Sequence, residues 1–439
     1  MSVDAFQNMN GGHPTARPRR AAGGLVVSWR TVEWWGAGLC LFLQTGAGFP
    51  LLMAGGGDLD DPAKAKLRLL SLPVYAFIGL ILGRNLRQFG IALKRNLLFH
   101  LLAAAPFVSV LWSVSPSITL RRAIGLLFSL LLAYLLAIRF TPRQLLLLVM
   151  ATLGACIVLS LALLAISPGL ALMPPDGAMR GIFLTKNNLG WYSSILALVT
   201  AVVVLDGSFG YRRTGMVLLA ASLACLAGSM SMTSVVATAS MVCLIWFYTT
   251  LPKARGIRRV VFVLVFVQAV AALLVLLHEF LVPVLEAFGK DATLTGRVPL
   301  WGLVDAEISR HLLLGFGYQA FWTEGNPEAW AIWTEIQWMA PHAHNGFRDI
   351  LLSLGIGGMA LFVMAVMRAI RQGAVLQCRA PEDGWLWLNV FMIMVLVMNL
   401  TESIFLVQND AIFILFSACL VLFSLYAPAY TEGPGRMRG

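Results

Sequence analysis

Apolar stretches of the length that crosses a lipid bilayer, about 17 to 25 residues, recur from one end of this 439-residue chain to the other, most of them separated by short polar breaks. The runs are continuous rather than alternating, so helices are expected and barrel strands are not. Hydrophobic residues make up 59% and charged residues 12%, against about 25% charged in soluble domains. The expected fold is an all-α integral membrane protein of about twelve transmembrane helices, at 31–54, 67–83, 96–114, 122–138, 144–167, 188–206, 214–229, 233–251, 260–280, 346–367, 384–401 and 409–428. Residues 1–30 and 429–439 read as tails, 31–280 as the first nine helices, 281–345 as one long loop, and 346–428 as the last three helices.

Lys and Arg set the orientation. With the N-terminal tail in the cytoplasm, 21 of the 32 fall in inner segments, so both termini are expected to be cytoplasmic. The first 30 residues are too long and polar for an ordinary signal peptide, and the first apolar run is expected to be retained as a span. The +11 net charge then reads as topology and lipid contact, and without a basic soluble module nucleic acid is not an expected partner. Five of the six cysteines fall in spans and Cys378 in an inner loop, with no CxxC spacing for zinc and no outer pair for a disulfide. Asp58 and Asp60 form a D-x-D that oxygen-seeking cations favour, but in the stretch GGGDLDDPAKAKLR they and Lys64, Lys66 and Arg68 read as a solvated loop. No metal or cofactor is expected.

The long loop carries two helical stretches. In GRVPLWGLVDAEISRHLL, Leu300, Val304 and Ile308 recur every four residues, the pattern of an amphipathic helix lying on the membrane. The second, 321–338, holds Trp322, Trp330, Trp333 and Trp338, which suit membrane-interface anchors or platforms for a sugar or polyprenyl chain. A shorter outer loop, 168–187, ends in RGIFLTKNNLG, where Asn187 or Asn188 suits the N-cap of the next span.

Basic residues on the outer side run against the topology rule. Arg121 and Arg122, Arg180, Arg297, and Arg348 place guanidinium groups at or near helix starts in four separate segments, with the Lys186 ammonium beside the second. Each alone is at home as a lipid-headgroup contact. Together with helix N-termini, they suit a phosphate-bearing ligand if they converge. His342 and His344 add imidazoles that can take a proton near neutrality, and a positive Arg348 one turn on disfavours an imidazolium. Glu402, at the outer end of the eleventh span, is a carboxylate for structural pairing with an outer arginine or for direct function.

These residues resemble the O-antigen ligase and Wzy-type polymerase superfamily, bacterial membrane glycosyltransferases of the GT-C kind. The family motif is His-Asn, nine residues, then Gly; here His344-Asn345 is followed after nine residues by Gly355. WSVSPSITLRR, RGIFLTKNNLG, TLTGRVPLW, LLGFGYQAFW and LTES look like family segments in the same order. The resemblance implies a GT-C-like fold with a periplasmic site in the bacterial inner membrane. It also implies an undecaprenyl-pyrophosphate-linked oligosaccharide donor, and as acceptor a second lipid-linked repeat unit (a polymerase) or lipid A core sugar (a ligase). The polymerase is favoured by the look of TLTGR, GFGYQAFW and KNNLG. His344 would deprotonate the acceptor hydroxyl or orient it for inverting attack at the anomeric carbon, Arg180 and Arg297 would hold the pyrophosphate with Arg121, Arg122 and Arg348 as further candidates, and Asn345, His342, Lys186 and Glu402 would support them. Other polysaccharide assembly and export proteins are further partners. A lipid-linked oligosaccharide flippase or other transporter and a purely structural assembly component stay open as readings of another class.

Overall fold

The computed structural model describes residues 28–55, 61–287 and 296–431. Most of the N-terminal tail, the last eight residues, Asp58, Asp60 and Lys290 lie outside the described residues. In chain order the main helices are α1 (Trp29–Gln44), α2 (Phe49–Ala54), α3 (Asp61–Arg84), α4 (Leu86–Arg95), α5 (Leu97–Val108), α6 (Pro116–Arg139), α7 (Pro142–Ile166), α8 (Lys186–Leu205), α9 (Arg212–Ser229), α10 (Met232–Thr250), α11 (Ile257–Ala287), α12 (Arg297–Arg310), α13 (Pro327–Ile336), α14 (Gly346–Arg379), α15 (Trp385–Met398) and α16 (Ala411–Tyr426). A two-stranded hairpin pairs Leu172 with Met179 and Met173 with Ala178. The chain is an all-α integral membrane protein.

Each expected span has a helix. Among the described residues, six stretches are long and apolar enough to cross a bilayer, α1 with α2 counting as one, and α4 with the stretch Leu97–Leu111 makes a seventh if that pair, bent by 90°, is one span. The others differ for physical reasons. Helix α3 begins at Asp61, so Lys66, expected in a loop, sits on its first turns. Helices α15 and α16 have 14 and 16 residues, about 21 and 24 Å at 1.5 Å per residue, less than the roughly 30 Å hydrocarbon core. Between them, irregular backbone at 399–410 buries Ile404, Phe405 and Leu406 against the bundle. Non-helical backbone at such depth needs protein around it, and Asn399 provides hydrogen bonds, its Oδ1 accepting from the amides of Ile404 (2.9 Å) and Phe405 (3.1 Å).

One core fills the bundle, built on α6, α7, α8, α15 and α16. Thr141 and Gln144 close a capping box that starts α7, and α8 meets α10 along a seam of small polar residues. There Ser194 Oγ donates to Ser234 O (3.0 Å), Thr238 Oγ1 donates to Ser194 Oγ (2.8 Å), and a side chain at Gly190 would press on Ser229, Ser231 and Ser234. At the far end of α6 from the long loop, the buried Glu33 carboxylate accepts from Arg139 (Nη2 at 2.8 Å) and Arg30 (Nη1 at 3.1 Å), a pair of partners that a buried carboxylate needs.

The long loop forms a second, smaller core. Leu300, Val304 and Ile308 of α12 are buried against Phe316, Phe321, Ile332, Trp333 and Leu352, so the apolar stripe expected to lie on the membrane is covered by protein instead. Trp322 and Trp333 belong to the same core, whereas Trp330 and Trp338 are exposed. Gly355 interrupts α14 with φ 61° and ψ −163°. At that break the chain at 312–316 lies against the helix: the Ile356 amide donates to Leu312 O (2.8 Å) and the Phe316 amide to Leu352 O (2.7 Å).

Candidate active site

His344 sits between two pinned residues. On one side the Ala343 amide donates to Asp349 Oδ1 (3.1 Å), whose carboxylate also accepts from Trp322 Nε1 (3.2 Å) and from the Ser403 hydroxyl. On the other, Asn345 caps α14, its Oδ1 accepting from the amides of Phe347 and Arg348 (both 3.1 Å) while its Nδ2 donates to Leu400 O (2.9 Å). The next amide, of Gly346, donates to Asn399 O and Glu402 O, and a Cβ there would come within 2.1 Å of Asn399 Oδ1. Held in this way, His344 takes a left-handed backbone, φ 50°, which costs a non-glycine residue energy and is a mark of functional loops.

The imidazole is 15% exposed. Among the described residues neither ring nitrogen has a hydrogen-bond partner, a costly state for buried polar atoms unless a ligand or water completes it. Its Nδ1 lies 3.7 Å from Glu402 Oε2, too long for a hydrogen bond. The same carboxylate, 2% exposed, accepts through Oε1 from Arg297 Nη2 (3.0 Å) and Asn187 Nδ2 (3.3 Å). Arg297 Nη1 donates to the Thr401 carbonyl. One carboxylate thus stands between a guanidinium and an imidazole.

His342 lies against this group, its ring centroid 4.1 Å from that of His344 and its plane inclined by 57°, and its Nδ1 accepts from the His344 amide (3.2 Å). Burial, then the neighbouring His344 and the Arg297 charge, push its pKa down to about 3, so it is neutral and able to accept. A histidine near 6.5 when unfolded and near 3 when folded binds more protons in the unfolded state between those values, so its contribution to stability is present above about 6.5 and is lost as the pH falls toward 3. Thermal unfolding followed from pH 7 to pH 4 is expected to show a falling midpoint, with a shallower fall in His342→Asn; parallel curves would remove His342 as the source.

The structure therefore brings His344, His342, Asn345, Arg297 and Glu402 together. Arg348 instead forms a two-pronged pair with Asp305 (2.7 and 2.8 Å) and lies over the Trp301 ring at 4.8 Å. Arg122 donates to Gln319 O (2.5 Å), Lys186 pairs with Asp176 (2.5 Å), and Arg121 is exposed at the start of α6. Arg180 is buried on the loop before α8, its Nε donating to Leu170 O (2.9 Å). Sequence reasoning missed Asn187, Asp349, Ser403 and Asn399. It also placed the N-cap of α8 at Asn187 or Asn188; the cap is Thr185. The helix therefore starts a turn earlier and Asn187 is left to reach Glu402. The i to i+4 spacing of Asn345 and Asp349 was a readable signal, because both then face the turn before the helix.

Residues 215–363 match the family model described as O-Antigen ligase. This segment is similar to that family. The matched segment runs from α9 into α14 and contains Arg297, His342, His344, Arg348 and Gly355. The chain is also 34% identical over 273 residues to the exopolysaccharide production protein ExoQ of Rhizobium meliloti strain 1021, covering 60% of this chain and 61% of that relative. The chain thus spans about three-fifths of that relative's length. Within the matched segment the His-Asn and glycine positions acquire separate physical meanings: His344 and Asn345 open α14, and Gly355 breaks it where the loop packs.

Proposed function

We propose that the chain is an inverting, metal-independent membrane glycosyltransferase that polymerises undecaprenyl-pyrophosphate-linked repeat units at the periplasmic face of the bacterial inner membrane, with both termini in the cytoplasm. The observation that carries this reading is the His344 imidazole, held on a strained backbone with both nitrogens unpartnered, beside the Arg297 and Glu402 pair. In this reading an imidazole nitrogen takes the proton of the acceptor hydroxyl as its oxygen attacks the anomeric carbon. The bond from that carbon to the pyrophosphate oxygen breaks with inversion, and undecaprenyl pyrophosphate leaves with its electron pair. Glu402 faces the imidazolium that results.

Arg297 and Arg180 meet the leaving group's charge in this reading, as bidentate donors suit phosphate. Arg297 uses one N–H on each terminal nitrogen, for Glu402 and the Thr401 carbonyl, which among the described residues leaves three of its five donors for a pyrophosphate. A second reading, transfer of the finished chain to lipid A core sugar, is favoured by the description of the matched family as O-antigen ligase; the ExoQ relative, an exopolysaccharide production protein, favours polymerisation.

The test reconstitutes the full chain in lipid with the host's lipid-linked repeat unit as the only sugar, and resolves products by size. A ladder that persists in EDTA is expected. One discrete transfer only after lipid A core is added means ligase, and silence in both moves the chain to the transporter class.

A further inference from the structure

Five tryptophans stand around the site, and four of them are tied into the fold by the indole N–H. Trp301 donates to Ala343 O (2.9 Å), Trp322 to Asp349 Oδ1 (3.2 Å), Trp330 to Glu324 O (2.6 Å) and Trp333 to Ala340 O (2.9 Å). Trp338 is the exception: among the described residues its indole N–H has no partner, and the residue is 42% exposed. Its position is nevertheless fixed. Gln337, at φ 54°, ends α13, the Trp338 amide donates to Trp333 O (3.3 Å), and the Trp338 carbonyl accepts from the Ala340 amide (2.9 Å). The ring so placed lies 5.4 Å from the His344 ring, tilted by 32°.

An exposed indole held rigidly beside an unpartnered imidazole offers a flat apolar face with polar groups at its edge. A pyranose matches both: its C–H face is apolar enough to lie on an aromatic ring, and its hydroxyls can accept from the indole N–H and give a proton to the imidazole. A hydrocarbon tail matches only the face and leaves the N–H and the histidine unpaired, at a cost. We propose that Trp338 is the stacking platform of a sugar subsite that holds the terminal ring of the acceptor with a hydroxyl at His344. The subsite rests on the reading of His344 as the acceptor's base and names the side from which the acceptor arrives.

The test measures binding and needs no turnover. Full-length protein in lipid nanodiscs is titrated with the repeat-unit oligosaccharide released by mild acid from the host's lipid-linked pool, and the affinity is read by calorimetry and saturation-transfer NMR. Trp338→Ala is expected to weaken binding about tenfold or more, and Trp338→Phe, which keeps a ring face, to stay within about threefold of the native protein. Trp338→Leu keeps apolar bulk without the ring and guards against a folding defect; it is expected to bind as weakly as alanine. The platform is overturned if the native protein shows no saturable sugar binding, if the alanine or leucine variant binds normally, or if phenylalanine fails to restore binding. A membrane-anchoring tryptophan gives the second of these results. Trp338-dependent binding in a protein that transfers no glycan leaves the platform standing and sinks the glycosyltransferase reading alone. Transfer that depends on His344 while Trp338→Ala binds normally does the reverse.

Discussion

His344→Asn is expected to lower glycan transfer by about 10²- to 10⁴-fold, the contribution of a positioned general base, with the protein still folded at native abundance in the membrane. Asparagine is a better probe than alanine here. The residue at 344 has φ 50°, a region where asparagine is several-fold enriched among non-glycine residues, so the variant removes the base while keeping the turn. Alanine adds backbone strain to the lost chemistry and mixes two effects. Initial rates on the reconstituted protein, with an unfolding midpoint alongside, separate them. Transfer at the native rate in His344→Asn takes the imidazole out of the mechanism. A comparable loss in Glu402→Gln would mean that the carboxylate matters to the chemistry as well as to its pairing with Arg297.

The largest cost to the fold is expected from Gly355→Ala. At φ 61° and ψ −163° the backbone lies in a region that essentially only glycine occupies. A Cβ there would stand 2.3 Å from Leu313 O and 2.5 Å from Leu314 N, main-chain atoms that no rotamer change can move. Strain alone in such regions costs about 1–3 kcal/mol, and the collision adds to it by prising the chain at 312–316 off the helix. A fall in unfolding midpoint and less protein in the membrane are the expected readings, with loss of transfer as a consequence. A native midpoint would mean that the break tolerates a side chain and the loop is seated less tightly than the hydrogen bonds of Phe316 and Ile356 imply.

What could be read from residues alone followed the range of the interaction. Continuous apolar runs are local, so each expected span has its helix. Pairings across a hundred residues leave little local trace: Glu402 was expected to meet an outer arginine and does, but that the arginine is Arg297, with Asn187 on the same carboxylate, had to be seen. Arg348 shows the opposite case. Its place one turn after His344 suggested an influence on that ring, but its charge meets Asp305, 43 residues away in sequence. The stripe of Leu300, Val304 and Ile308 correctly marked a helix. Its period could not say whether lipid or protein would cover it, because both are apolar.

The hydroxyl of Thr233, on the second residue of α10, lies 2.8 Å from that of Thr401, and the Thr401 carbonyl receives Arg297. The opposite side of α10 shows Val235, Val236, Val242 and Trp246 to the surroundings. The serine seam also ties α10 to α8, whose first turn carries Asn187 and its bond to Glu402. The grip on Arg297 is thus continuous, through Thr401 and Thr233, with a helix whose apolar side chains face outward: the site is braced from the rim of the bundle as well as from its centre.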